Sequence, residues 1–180
     1  MTAAPEAQLA HVGYYVRDLD KMVAFYTRVF GMVVTDHGVS TRPGAPTMAF
    51  LSRNPDEHHQ IAFATGRGED VPTTINQISF RVHGLAELLV WHRKLLELGV
   101  EKIDPRTHGN AWSLYFLDPE GNRLELYTPT EWHVSQPFGH PFDPTRPEQE
   151  IRAETAEMVK QDPTHCPIDE WSRKLAATIA

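Results

Sequence analysis

The sequence predicts an α+β fold: two βαβββ modules forming a metal-binding cleft, followed by carboxy-terminal helices. Three observations lead there. Strand-like and helix-like segments succeed one another in the same order twice. Matching residues of the two halves stand at a constant spacing. After Thr130 the chain loses both periodicities and then resumes as helix.

In the first half, "LAHVGYYV" (9–16) is rich in β-branched and aromatic residues and predicts a strand. Asp18 suits the N-cap of a helix on which Leu19, Met22, Val23, Tyr26, Val29 and Phe30 recur at helical spacing, and Gly31 ends it. "MVVTDHG", "TMAFLSR" and "HHQIAFATG" predict three strands parted by Gly/Pro segments. The second half repeats the order. "INQISFRV" (75–82) is a strand and "LAELLVWHRKLLELGV" (85–100) an amphipathic helix closed by Gly99. Strands follow near 101–107, at "AWSLYFL" and at "NRLELYT", the last two joined by the turn "DPEGN".

Gln77 stands 66 residues after His11, Leu85 66 after Leu19, Val82 66 after Val16 and Glu125 66 after His59. If insertions cancel, His11 pairs with Gln77 on the first strands and His59 with Glu125 on the last. Two related modules side by side would aim these four polar groups at a shared cleft. That accounts for a carboxylate between two leucines in "RLELYT": Glu125 need not face a dry core, where an unpaired charge is costly.

The segment "EWHVSQPFGHPFDPTRP" holds four prolines and a glycine and predicts an extended wrap, with Trp132 and Phe138 as candidate apolar walls of the cleft. "EQEIRAETAEMVKQ" (148–161) and "IDEWSRKLAATI" (168–179) read as tail helices. The second puts Ile168, Trp171, Leu175 and Ile179 on one face, suited to packing or subunit contact.

Composition excludes several classes. A net charge of −7 without charge blocks argues against nucleic acid or an anionic membrane as partner. No apolar run reaches the ~18 residues of a membrane span, and "MTAAPEAQLA" lacks the marks of a signal peptide. The single cysteine, Cys166, rules out an internal disulfide and a multi-cysteine zinc site, so a cytoplasmic protein is expected.

The repeated pattern and the run "HGNAWSLYFLDPEGNRLELYTP" resemble the vicinal-oxygen-chelate superfamily, which includes glyoxalase I, bleomycin-resistance proteins and type I extradiol ring-cleaving dioxygenases. The likeness is strongest to single-domain extradiol dioxygenases. It implies a domain over 1–146, with modules at about 8–66 and 74–130 and a wrapping segment 131–146; a helical tail, 147–180, lies outside it.

The resemblance assigns roles. His11, Gln77 and Glu125 would hold the metal, iron(II) first, with Mn, Ni, Zn or Co as alternatives. Gln77 departs from the family's histidine and offers a harder, weaker oxygen donor. His59 would be the acid–base histidine, and His108 and Tyr115 hydrogen-bond donors to substrate oxygens. The spacing of 66 leaves another role open, His59 as ligand, with Gln77 fourth or merely hydrogen-bonded. The implied partners are a small aromatic diol and O2, in a homo-oligomeric enzyme. A glyoxalase-like metal-dependent lyase or isomerase is the alternative, and a non-catalytic small-molecule-binding protein of the same fold the third.

Bland readings stand beside these. His11 could be a buried histidine bonded to backbone, Glu125 a partner of Arg81 or Arg123, Gln77 a structural amide, Tyr115 a core tyrosine and His108 a turn residue. His58 is expected on the face opposite His59, because strand side chains alternate.

Overall fold

A computed structural model describes residues 8–41 and 43–179. Residues 1–7, on which part of the signal-peptide reading rests, lie outside that range. The chain divides into two compact units, one comprising Met1–Thr74 with Asp118–Gly121, the other Ile75–Leu117 with Asn122–Ala180.

The first unit runs β1 (Val12–Val16), α1 (Leu19–Phe30), β2 (Val33–Val39), β3 (Thr47–Ser52) and β4 (Ile61–Thr65). Its sheet has the order β1-β4-β3-β2, with β1 parallel to β4 and the other pairs antiparallel. Asp18 caps α1, its side chain accepting the Lys21 amide at 2.9 Å, and Gly31 closes it at φ 64°. Phe25, rather than the expected Val23, joins Met22, Tyr26, Val29 and Phe30 in the core. Tyr26 lies edge-on against Phe63 of β4, its ring centroid 5.1 Å away, and hydrogen-bonds the Tyr14 hydroxyl at 2.8 Å. The turn 118–121 belongs to this unit through polar contacts. Glu120 accepts the amides of Arg17 (2.6 Å) and Asp18 (2.9 Å) and pairs with Arg67 at 3.3 Å, both side chains nearly withdrawn from water.

The second unit repeats the plan with β5 (Ile78–Arg81), α2 (Leu85–Glu97), β6 (Asp104–Thr107), β7 (Ala111–Leu117) and β8 (Arg123–Pro129). Its sheet runs β6-β7-β8-β5, β5 being parallel to β8. The paired βαβββ modules are therefore present, in one topology. The wrapping segment contributes β9 (Trp132–His133) and β10 (His140–Pro141), and β10 extends the second sheet beyond β6. Helix α3 (Glu148–Lys160) buries Ile151, Thr155 and Val159, and Thr155 accepts the indole N–H of fully buried Trp112 at 2.9 Å. β11 (Cys166–Pro167) pairs with β9 and leads into α4 (Ile168–Ile179), which buries none of its residues; Trp171, Leu175 and Ile179 are exposed. Among the described residues no helix is long and apolar enough to cross a membrane.

The repeat spacing holds for the first strands and fails for the last. Ile78 stands 66 residues after Val12, the residues that open β5 and β1. Their parallel partners, Leu124 and Ile61, are only 63 apart. The insertions do not cancel, because the route from first to last strand is three residues longer in the first module. Glu125, opposite Ser79, therefore corresponds to Ala62, opposite Gly13, and not to His59.

Candidate active site

Alternation across the second sheet gives it two unlike faces. Trp112, Leu114, Phe116, Leu124 and Leu126 are all buried and point one way. On the other face, strand pairing lines up Ser79, Glu125, Tyr115 and Asp104 in one row across β5, β8, β7 and β6. Glu125 thus sits on the polar face, although it is only 7% exposed. The amide nitrogen of Gln77 donates to its Oε2 at 2.9 Å, and Ser79 Oγ donates to the same oxygen at 2.5 Å. Among the described residues Glu125 forms no ion pair with Arg81 or Arg123; its partners are Gln77 and Ser79. Ser79 was missed in the sequence, although it lies two residues from Gln77 and so on the same side of its strand.

Tyr115, directly across from Glu125, bonds His108 through its hydroxyl, 2.9 Å from Nε2. The other ring nitrogen, Nδ1, lies 2.7 Å from the carbonyl oxygen of Phe138. A carbonyl only accepts, so Nδ1 carries a proton; in the neutral imidazole Nε2 is then the acceptor and the Tyr115 hydroxyl donates to it. Sequence reading gave His108 and Tyr115 as parallel donors, whereas the geometry couples them in series. Burial, reinforced by the neighbouring Glu125 carboxylate, pushes the Tyr115 phenol up to about 12. It therefore keeps its proton at neutral pH. The Arg123 guanidinium carbon stands 3.8 Å from the Tyr115 ring centroid.

The wrapping segment acts here through backbone. Phe138 contributes its carbonyl, and the Gln136 amide nitrogen donates to the His108 carbonyl at 2.8 Å. Trp132 instead packs edge-on against Trp112, with centroids 6.1 Å apart, on the apolar side of the sheet. It is not a wall of the polar face. Gly109 lets the turn approach closely: at φ 70°, an added Cβ would fall 2.5 Å from Val134 Cγ2.

In the first unit His11 immediately precedes β1, and His59 lies in the approach to β4. Their ring centroids are 4.3 Å apart. Phe50 lies edge-on to His59 at 5.0 Å. His58 is not turned away from His59; the two Nδ1 atoms are 3.0 Å apart. Strand alternation does not yet apply there, because β4 begins only at Ile61. Burial, then the potential charges of His11 and His58, lower the His59 pKa from its ordinary value. His59 is thus kept as a neutral base to lower pH than a free imidazole.

The donors of the second unit fit a divalent cation chemically: a carboxylate withheld from water yet on the open side of a sheet, and an amide oriented beside it. Among the described residues no three His, Cys, Asp or Glu side chains are grouped so as to hold a metal. The set read from the sequence differs from such a group in taking its third donor from the Gln77 amide.

Paired βαβββ modules with a hydrogen-bonded glutamate on the last strand define a class of small α+β proteins that includes metalloenzymes. This chain belongs to the Glyoxalase/Bleomycin resistance protein/Dioxygenase superfamily, whose profile matches residues 8–126. It is 32% identical over 132 residues to "Biphenyl-2,3-diol 1,2-dioxygenase 3" of Rhodococcus globerulus, covering 70% of this chain and 64% of that one. It is 29% identical over 122 residues to "Metallothiol transferase FosB" of Lysinibacillus sphaericus (strain C3-41), covering 67% and 81%. The crystal structure of the fosfomycin resistance protein FosX from Listeria monocytogenes, complexed with Mn(II) and sulfate, shares the fold at a TM-score of 0.54 and 22% identity, covering 70% of this chain and 95% of that one. The chain thus spans just under two thirds of the dioxygenase relative's length.

Proposed function

We propose that this protein is a metal-dependent extradiol-type dioxygenase that opens the ring of a small catecholic substrate. The observation that carries the reading is the Glu125 cluster: a carboxylate oriented by Gln77 and Ser79, with the Tyr115–His108–Phe138 chain beside it. The dioxygenase relatives supply the substrate class.

In this reading His11, Gln77 and Glu125 hold one divalent cation, iron(II) by preference. When bound, the metal supplies the redox chemistry that lets O2 react with a diol despite their spin mismatch. The remaining work falls to the chain. Glu125 contributes one negative charge, so the site keeps a positive surplus that favours an ionised diol oxygen. Neutral His59 removes a diol proton and later returns it. Tyr115, held un-ionised, aims its hydroxyl by way of His108. Protonation of Nε2 would free the phenol proton for a substrate oxygen, making His108 a positioning residue with its own proton to give. The reading includes a homo-oligomer, for which the exposed face of α4 is the surface to examine by light scattering.

A second reading, a glyoxalase-like lyase or isomerase, is favoured by Gln77 standing where an iron-binding histidine is expected. It requires turnover without O2 and a non-redox metal. Oxygen uptake by anaerobically purified, iron-loaded protein across a panel of catechols tests the two. Catechol-dependent uptake that disappears in Glu125→Gln is the expected result. Turnover that proceeds equally well without oxygen would overturn it.

A further inference from the structure

His108 stands in the turn between β6 and β7, and three hydrogen bonds join it to the wrapping segment in a closed circuit. The imidazole Nδ1–H donates to the Phe138 carbonyl at 2.7 Å. The Phe138 amide donates to Gln136 Oε1 at 3.0 Å, and Gln136 Nε2 donates to the His108 carbonyl at 2.8 Å. We infer that Gln136 is a positioning residue for the proposed ring opening. By closing this circuit it holds His108 in the Nδ1–H tautomer and so sets the direction of the His108–Tyr115 hydrogen bond.

Three observations support it. First, the circuit closes in one sense only. A carbonyl accepts and an N–H donates, so one orientation of the Gln136 amide serves both neighbours, and one tautomer of the imidazole. With its proton on Nε2 instead, the bare Nδ1 would face the Phe138 oxygen lone pair to lone pair. Second, the Phe138 carbonyl owes its place to a side chain. Pairing of β9 with β11 and of β10 with β6 pins the segment on either side, but residues 134–139 between them belong to no strand. Gln136 reaches out from within that stretch, with a longer 3.4 Å contact to the Val134 carbonyl besides. Third, the main chain of His108 is also held from the β7 side, its amide donating to the Ala111 carbonyl at 2.8 Å. What Gln136 adds is a fixed partner for the ring. Gln136 is exposed, so its side chain contributes little burial to the fold.

The consequence reaches Tyr115. While Nδ1 holds the proton, Nε2 accepts from the phenol across 2.9 Å. In the other tautomer Nε2 donates, and the hydroxyl becomes the acceptor and turns its proton elsewhere. Gln136 thus acts on the reaction through His108.

This inference rests on the diol reading for the reaction and on the circuit alone for the tautomer. The test is ring-nitrogen NMR of the full-length, metal-free chain with isotope-labelled histidine, at pH about 8.5, above the imidazole range. The His108 signals are those lost in His108→Ala. The native protein is expected to show the Nδ1–H form alone. Gln136→Met, which neither donates nor accepts as an amide does, should bring in the Nε2–H form with the melting temperature nearly unchanged. Gln136→Glu, which cannot donate to the His108 carbonyl, should do the same. In oxygen uptake by iron-loaded protein with catechol, Gln136→Met should lower kcat about tenfold, the worth of one hydrogen bond, and leave KM within about twofold. In a His108→Ala background the same substitution should cost nothing further, because the two residues act in series. Unchanged His108 signals in Gln136→Met, an unchanged kcat, or a full additional loss in the His108→Ala background would overturn the inference. A tautomer shift without oxygen uptake in any form would uphold the lock and overturn ring cleavage. Uptake with signals and kcat indifferent to residue 136 would do the reverse.

Discussion

The two modules share one strand order and one helix placement, yet they equip their open faces differently. The first offers rings: His11 and His59 at 4.3 Å, with His58 and Phe50 against them. The second offers a fixed anion and its donors: Glu125, held by Gln77 and Ser79 and facing the Tyr115–His108 pair. At the position matching Glu125 the first module has Ala62. Backbone repetition thus places equivalent sites without dictating equivalent side chains. In the proposed reaction the imidazoles would handle protons and the carboxylate charge.

Breaking the carboxylate side should have the largest effect. Glu125→Gln is expected to lower divalent-metal affinity by more than the ~100-fold that losing an outer hydrogen-bonding partner costs, measured by competitive chelator titration. Adding Ala62→Glu should not restore it. Next is the buried pair in the first unit. With side chains only 8% and 4% exposed, Glu120→Gln takes from Arg67 its carboxylate counter-charge, and a loss of about 3 kcal/mol in denaturant unfolding is expected. The exposed pair Lys94–Glu97 of α2 should by contrast be worth under ~0.5 kcal/mol.

Ser79→Ala sharpens the comparison. It removes a donor to Glu125 from an exposed strand position, so metal affinity should fall about 10- to 100-fold while stability changes little. The smallest effect is a pH slope. The Tyr115 phenol is pushed up to about 12 in the folded chain and ionises near ~10 when unfolded. Between those values the unfolded state has lost a proton that the folded state keeps, so stability falls as pH rises. Tyr115→Phe should flatten that alkaline slope in urea midpoints and leave the neutral midpoint nearly unchanged.

Much of the fold was legible because its determinants are local. Asp18 and Gly31 bracket α1, alternation in "AWSLYFL" and "RLELYT" marks β7 and β8, and Glu125 in an apolar strand announces a polar face. What was illegible depended on distance in the chain. The spacing of 66 is true of β1 and β5, but unequal lengths between first and last strands shift the final offset to 63, and nothing in the residues themselves reports that. His58 was assigned to the wrong side because the onset of β4 at Ile61 is set by pairing with β1 and β3, not by its own composition. Trp132 looked like a cleft wall, but the docking of Trp112 and α3 draws it to the other side of the sheet. The His108–Phe138 bond spans 30 residues and uses a carbonyl, a group every residue has, so no side-chain pattern could reveal it.

The central proposal is that His11 and Glu125 are both ligands of one divalent ion. Metal content per chain, measured after anaerobic purification for the native protein, His11→Ala and Glu125→Gln, tests it most directly. One ion per chain, lost in each variant separately, is the expected result. An ion retained in either variant would contradict the claim.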